Sequence, residues 1–147
     1  MFKKILLPTD GSHLAHNAAV FAADLAKTHG AQVVGVYVID PFPYIGIGDA
    51  SAVGLQAYLT EAQAAASKAL GDLRSVCEER GVAFEGDTIE RNVIYEGILE
   101  TAQAEGADLI VMGSHGRQGV QALILGSVAQ KVLTHAKVPV LIVKKQD

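Results

Sequence analysis

Apolar residues along the chain fall into two alternating textures: short, nearly unbroken runs, and longer stretches in which they recur every third or fourth position. The runs are Ile5 to Leu7, Val33 to Ile39, Leu109 to Met112 and Val138 to Val143. A weaker fifth, Val82 to Glu90, has Ala83-Phe84-Glu85 and Thr88-Ile89-Glu90 separated by Gly86-Asp87. Runs this short and this apolar predict strands covered on both faces. Between them, helical spacing joins Leu14, Ala18, Phe21, Ala22 and Leu25 in a first helix that ends at Gly30. A second helix carries Leu55, Leu59, Ala62, Ala66, Leu70, Leu73 and Cys77 and ends at Gly81. A third carries Ile94, Ile98, Leu99 and Ala102 up to Gly106, and a fourth carries Val128, Val132, Leu133 and Ala136. Asp40 to Gly54, with two prolines and three glycines, reads as a long loop.

Three of the helices end alike, in His29-Gly30-Ala31, Arg80-Gly81-Val82 and Glu105-Gly106-Ala107, which predicts one kind of αβ loop used repeatedly. Alternation of strand and helix throughout predicts an α/β fold: an open parallel five-stranded sheet with right-handed crossovers and helices on both faces. No linker or internal repeat divides residues 1–147, so one domain is expected.

Charge and composition narrow the partners. Acidic residues outnumber basic ones 16 to 12, a formal net charge of −4, so no global positive field exists to draw in nucleic acid. No run approaches the ~18 apolar residues of a membrane span. The amino end, with Ile5-Leu6-Leu7 halted at Pro8, is too short for a signal-peptide core. A single cysteine, Cys77, excludes an internal disulfide and suits a reducing cytoplasm. Any anionic ligand must therefore be held by a local device, and 15 glycines, above the usual share of roughly 7%, indicate where to look.

Open α/β sheets bind ligands at the carboxyl ends of their strands. Two such ends stand out: Pro8-Thr9-Asp10-Gly11-Ser12, and Gly113-Ser114-His115-Gly116-Arg117-Gln118-Gly119, the latter followed by Gly126-Ser127 at the opening of a helix. Glycines admit a ligand close to the backbone, and a helix amino terminus offers unpaired N–H groups with partial positive charge, so the pair forms a cradle for an anion. The Walker pattern is absent, because no lysine lies between Gly126 and Ser127. The dinucleotide pattern is absent too, because Gly46-Ile47-Gly48 lacks its third glycine.

Gly113, Gly116, Gly126 and Ser127 reproduce the spacing Gly, two residues, Gly, nine residues, Gly-Ser that marks the nucleotide-binding branch of the universal stress protein family. The opening Lys3 to Ser12 (KKILLPTDGS) and the strand end Val36-Tyr37-Val38-Ile39-Asp40 also resemble that family, and the likeness runs the length of the chain. The resemblance implies a Rossmann-like sheet of the adenine nucleotide alpha hydrolase-like type. It implies ATP or AMP as bound ligand, with Mg²⁺ able to accompany ATP, and a homodimer formed through the closing strand Val138 to Val143. Position by position, it implies Asp10 beside the ribose or the adenine edge, with Pro8 and Thr9 shaping that wall. The backbone of Val38 would meet the base, and Met112 and Gly113 the sugar. Gly116, Gly126, Ser127 and Val128 would hold the phosphates. Arg117 reads equally as a phosphate-tail contact or a solvated loop residue. Arg91-Asn92-Val93 stands where many relatives have Gly or Gly-Asp.

Other residues that invite chemistry have plainer readings. His13 and His16 lack a third ligand at helical spacing and read as surface histidines. His115 reads as solvent-facing, Cys77 as a small buried hydrophobe, Asp40 as a turn residue and Tyr44 as a loop anchor. Together with the residues, the resemblance implies a cytoplasmic adenine-nucleotide-binding stress sensor or regulator. A weak ATPase or phosphotransferase is the second class, against which stand the missing Walker lysine, the missing paired carboxylates and the missing base for water. A dimeric interaction module that binds no nucleotide is the third.

Overall fold

The computed structural model describes residues 1–41, 52–115 and 125–144. The elements are β1 (Lys4–Pro8), α1 (His13–His29), β2 (Gln32–Ile39), α2 (Ala52–Glu78), β3 (Phe84–Glu90), α3 (Ile94–Glu105), β4 (Leu109–Gly113), α4 (Ser127–His135) and β5 (Val140–Val143). All five strands are parallel, in the order β3-β2-β1-β4-β5.

Strand residues alternate between the sheet's two faces. Ile5, Leu7, Val33, Leu109 and Val111 pack on one side against α1 and α2; Leu6, Val34, Val36, Ile110 and Met112 pack on the other against α3 and α4. Helices therefore cover both faces, as the unbroken apolar runs predict. The repeated helix ending is also observed. Ala31, Val82 and Ala107 each donate their backbone N–H to the carbonyl five residues earlier, at 2.8, 2.9 and 2.9 Å, across a glycine in the left-handed conformation. Each of these three residues is itself buried, so one motif both stops the helix and anchors the chain for its next strand.

Several expectations need correction. The buried stripe of α1 is entirely alanine, at positions 15, 18, 19, 22, 23 and 26, while Phe21 is 46% exposed. Small residues bring the helix axis close to the sheet, and a phenyl group on that stripe would hold it away. Leu133 is likewise exposed on α4. Helix α2 begins at Ala52, inside the segment expected to be loop, and Tyr44 lies outside the described residues. Strand β3 runs unbroken through Gly86 and Asp87, because at the sheet edge its polar residues face solvent. There Gly35 of β2 lies beside Gly86, and the Phe84 ring occupies the space a side chain at either position would need. The last strand starts at Val140 instead of Val138, since Pro139 has no N–H to give, although its carbonyl accepts from Ile110 N–H at 3.0 Å.

Cys77 is fully buried in the α1–α2 side of the core. Burial pushes its thiol from 9.0 up to about 11, against partial opposition from the guanidinium groups of Arg80 and Arg74. At pH 8 the native thiolate population is then roughly hundredfold lower than that of a free thiol, so iodoacetamide is expected to modify Cys77 only after unfolding. The unfolded chain also releases this proton first. Stability should therefore fall as pH rises from 9.0 towards about 11, with no contribution from this group below that window. Urea titrations of Cys77→Ala across the same range are expected to lack this part of the loss.

Candidate functional site

The site originates in a divergence of two strands. β1 and β4 pair only at Ile5↔Leu109 and Leu6↔Ile110; beyond this Leu7 and Pro8 continue with β2, while Val111 to Gly113 continue with β5. This is where the strand order reverses, and a crevice of about 910 Å³ opens at the carboxyl ends. Pro8, Thr9 and Asp10 enter it from β1, Val36 to Asp40 from β2, Met112 to His115 from β4, and Leu125 to Ala129 from the start of α4. Ile94 and Ile98 of α3 line it as well, as do Tyr58, Glu61, Ala62 and Ala65 of α2.

The loop after β1 is held by its own side chains. Thr9 donates its N–H to the Val36 carbonyl at 2.9 Å, and its hydroxyl accepts from Gly11 N–H at 3.1 Å. The Asp10 carboxylate accepts from Ser12 N–H at 2.9 Å, and Ser12 caps α1 by accepting from Ala15 N–H at 3.2 Å. These local bonds fix the turn and hold the Asp10 carboxylate at the crevice rim.

Ser114 organises the opposite wall. It is 3% exposed; its N–H donates to Val143 at the end of β5 (3.1 Å), and its carbonyl accepts the Gly126 N–H (2.8 Å). The start of α4 is thereby joined to the end of β4. Gly126 is the N-cap of α4 and provides no side-chain cap, so among the described residues no side chain accepts from the first-turn N–H groups at this end of the crevice. A Cβ on Gly126 would stand 2.9 Å from the Ser114 carbonyl oxygen, so the glycine is required by this chain's own backbone. Gly113 is similar, with Leu14 of α1 at 3.2 to 3.3 Å from where its Cβ would stand.

Of the residues singled out in the sequence, Pro8, Thr9, Asp10, Val38, Met112, Gly113, Gly126, Ser127 and Val128 all line this one crevice. Gly116 and Arg117 lie outside the described residues. His115 lines it too. Asp40 also lines it, and its carbonyl accepts a 2.8 Å hydrogen bond from the Tyr58 hydroxyl, tying α2 to the end of β2. His16 lies elsewhere, in a groove between α1 and α2 with Asp72, Glu79 and Arg80. Sequence reasoning missed the α2 wall. The signal available was Tyr58 itself, one turn before Ala62 on the same helical stripe.

The universal stress protein family model matches residues 1–144. The chain belongs to that family. A universal stress protein from Thermus aquaticus, encoded in the QAH/OAS sulfhydrylase 3′ region, is 39% identical over 145 residues, covering 98% of this chain and 100% of the relative. Among solved structures of universal stress proteins and their kin, MJ0577 of Methanocaldococcus jannaschii superposes with a TM-score of 0.84 at 28% identity, covering 100% of this chain and 99% of that one. The universal stress protein of Archaeoglobus fulgidus in complex with dAMP superposes with a TM-score of 0.65 at 25% identity, covering 98% of each. Among the described residues no helix is long and apolar enough to cross a membrane.

Gly126→Ala is expected to destabilise the protein without any ligand, by about 1–3 kcal/mol, because the new methyl meets the Ser114 carbonyl. Chemical denaturation of ligand-free protein measures this, and wild-type stability would show that the α4 start can move away from Ser114.

Proposed function

We propose that this universal stress protein binds an adenine nucleotide, ATP or AMP, in the crevice between β1 and β4 and acts as a stress-response sensor or regulator. The observation that carries the reading is the α4 amino terminus, without a side-chain cap and seated against Ser114 in a crevice that Asp10 also lines. A helix amino terminus bears about half a positive charge, so a chain of net charge −4 can hold a polyanion there without a basic patch. In this pose Ser127, Val128 and Gly126 take the phosphates, Gly116 is assigned to the same end by the family spacing, and Arg117 is the candidate contact for the phosphate tail. Asp10 takes the ribose hydroxyls, Pro8 and Thr9 bound that wall, Val38 offers its backbone to the base, and Met112 and Gly113 pack near the sugar. Mg²⁺ would accompany ATP, held by phosphate oxygens and water as is usual for this ion. The dAMP complex of the A. fulgidus relative supports the ligand class. A reducing cytoplasm suits the free thiol of Cys77.

The same reading includes a homodimer through β5. Pro139 and Val143 give their carbonyls to β4, so the backbone groups of Val140 and Ile142 fall on the outer edge of the sheet. An edge of this kind is covered when a second copy pairs with it about a twofold axis.

Protein purified without added nucleotide and then denatured is expected to release AMP or ATP on chromatography, and added ATP should raise the melting temperature of emptied protein. Ser127→Ala and Asp10→Asn should each weaken ATP binding about tenfold. No released nucleotide together with no thermal shift at saturating ATP overturns the reading. For the dimer, sedimentation should give twice the chain mass. Ile142→Pro, which removes an outward N–H and spares the bonds to β4, should give folded monomer; an unchanged dimer would place the interface elsewhere.

A further inference from the structure

Ser114 has three polar groups, and all three are engaged inside the protein: its N–H with Val143, its carbonyl with Gly126, and its hydroxyl with His115 Nδ1 at 3.0 Å. The first two bonds hold the chain. The third acts on a side chain that lines the crevice. His115 turns its Nδ1 to Ser114. Its Cδ2, which neighbours Nε2 in the ring, lies 3.7 Å from where a Cβ on Gly126 would stand, beside the start of α4. Among the described residues Nε2 has no hydrogen-bond partner. One imidazole nitrogen is thus committed to a buried hydroxyl, while the edge that bears the other is turned towards the uncapped helix terminus.

We infer that the Ser114 hydroxyl presets His115 to offer Nε2–H to the phosphate of the bound nucleotide, so that phosphate binding and protonation of this imidazole reinforce one another. The inference rests on the nucleotide reading above. In neutral imidazole, one nitrogen donates and the other accepts. When the Ser114 O–H donates to Nδ1, the proton sits on Nε2 and the ring meets a phosphate with a donor. When the ring takes a second proton from solvent, the hydroxyl rotates and accepts from Nδ1–H; Nε2–H is still a donor and now carries charge. The remaining tautomer would present a lone pair to the phosphate, and a bound phosphate disfavours it. A phosphate held against the imidazole edge favours the charged form of the ring, so binding and protonation are linked.

Among the described residues, the other charged and titratable groups around this end come from several elements. α4 has no acidic residue in its first turn. α1 meets the end of β4 at Leu14, next to His13, and Lys144 follows the Val143 that bonds to Ser114. Asp10, Asp40 and Glu61 line the same crevice from β1, β2 and α2, and Arg117 lies two positions along the chain, outside the described residues.

The test compares wild type with His115→Gln, whose amide N–H stands in for Nε2–H without the charge, and with His115→Leu, which offers neither. Affinities for ATP and for adenosine are measured by calorimetry at pH 8 and pH 6, in buffers of different ionisation enthalpy. At pH 8 the Gln variant should bind ATP within about twofold of wild type, and the Leu variant about tenfold more weakly. At pH 6 wild type should gain about tenfold over the Gln variant and should take up more protons on binding. Adenosine affinity should be equal in all three, which also shows that the variants are folded. Protonation of ATP itself is common to the three proteins and cancels in the comparison. If the Leu variant binds ATP as wild type does, His115 makes no phosphate contact; if the Gln variant follows wild type at both pH values, its charge plays no part; either result overturns the inference and leaves nucleotide binding intact. Wild type that binds neither ATP nor adenosine overturns both.

Discussion

The parting of β1 from β4 is the constraint on which the rest of the molecule depends. Two register pairs hold these central strands together, and then each is claimed by its other neighbour. A parallel sheet needs helical crossovers, and those crossovers are right-handed, so strands added on opposite sides of β1 send their helices to opposite faces. With α1 and α2 on one side and α3 and α4 on the other, the loops leaving β1 and β4 have no helix between them. The crevice is a by-product of sheet assembly, and the site chemistry is fitted to its rims.

Ser114 carries the fitting on one rim. A buried serine with every polar group paired is ordinary protein interior, yet its three partners belong to three different pieces: the end of β5, the start of α4, and an imidazole at the crevice. The geometry of the helix terminus is therefore inherited from the sheet and needs no ligand to form. On the other rim, the Asp10 carboxylate is oriented by the turn it closes with Ser12. Both rims are organised by hydrogen bonds to backbone groups, made by the side chains of Thr9 and Asp10 on one and by the backbone of Ser114 on the other.

Most of the fold is legible in the sequence because the core strands are apolar on both faces and the helix stops are glycines followed by small or branched residues. What escaped has identifiable physical causes. Strand β3 at the sheet edge does not need apolar residues, so Gly86-Asp87 looked like an interruption when it is only an exposed stretch beside Gly35. Phe21 fitted the helical period, yet alanine alone brings α1 close enough to the sheet. For the site, the glycine and hydroxyl spacing marked the β4 and α4 side, and the β1 loop marked the other. Part of the glycine content has a more local reason than ligand contact. Gly126 and Gly113 are needed where the chain meets itself, at Ser114 and at Leu14. The α2 wall could not be ranked from sequence, because nothing in a helical stripe says which turn overhangs a strand end.

The bond from the Tyr58 hydroxyl to the Asp40 carbonyl joins positions 18 apart in sequence. It brings the end of β2 and the Tyr58 turn of α2 to one point. The α2 wall of the crevice is therefore held to the sheet by this polar bond as well as by the packing of Leu59, Ala62 and Ala66 against Tyr37 and Ile39. A change at position 58 would reshape one wall of the crevice without touching strand register or either rim.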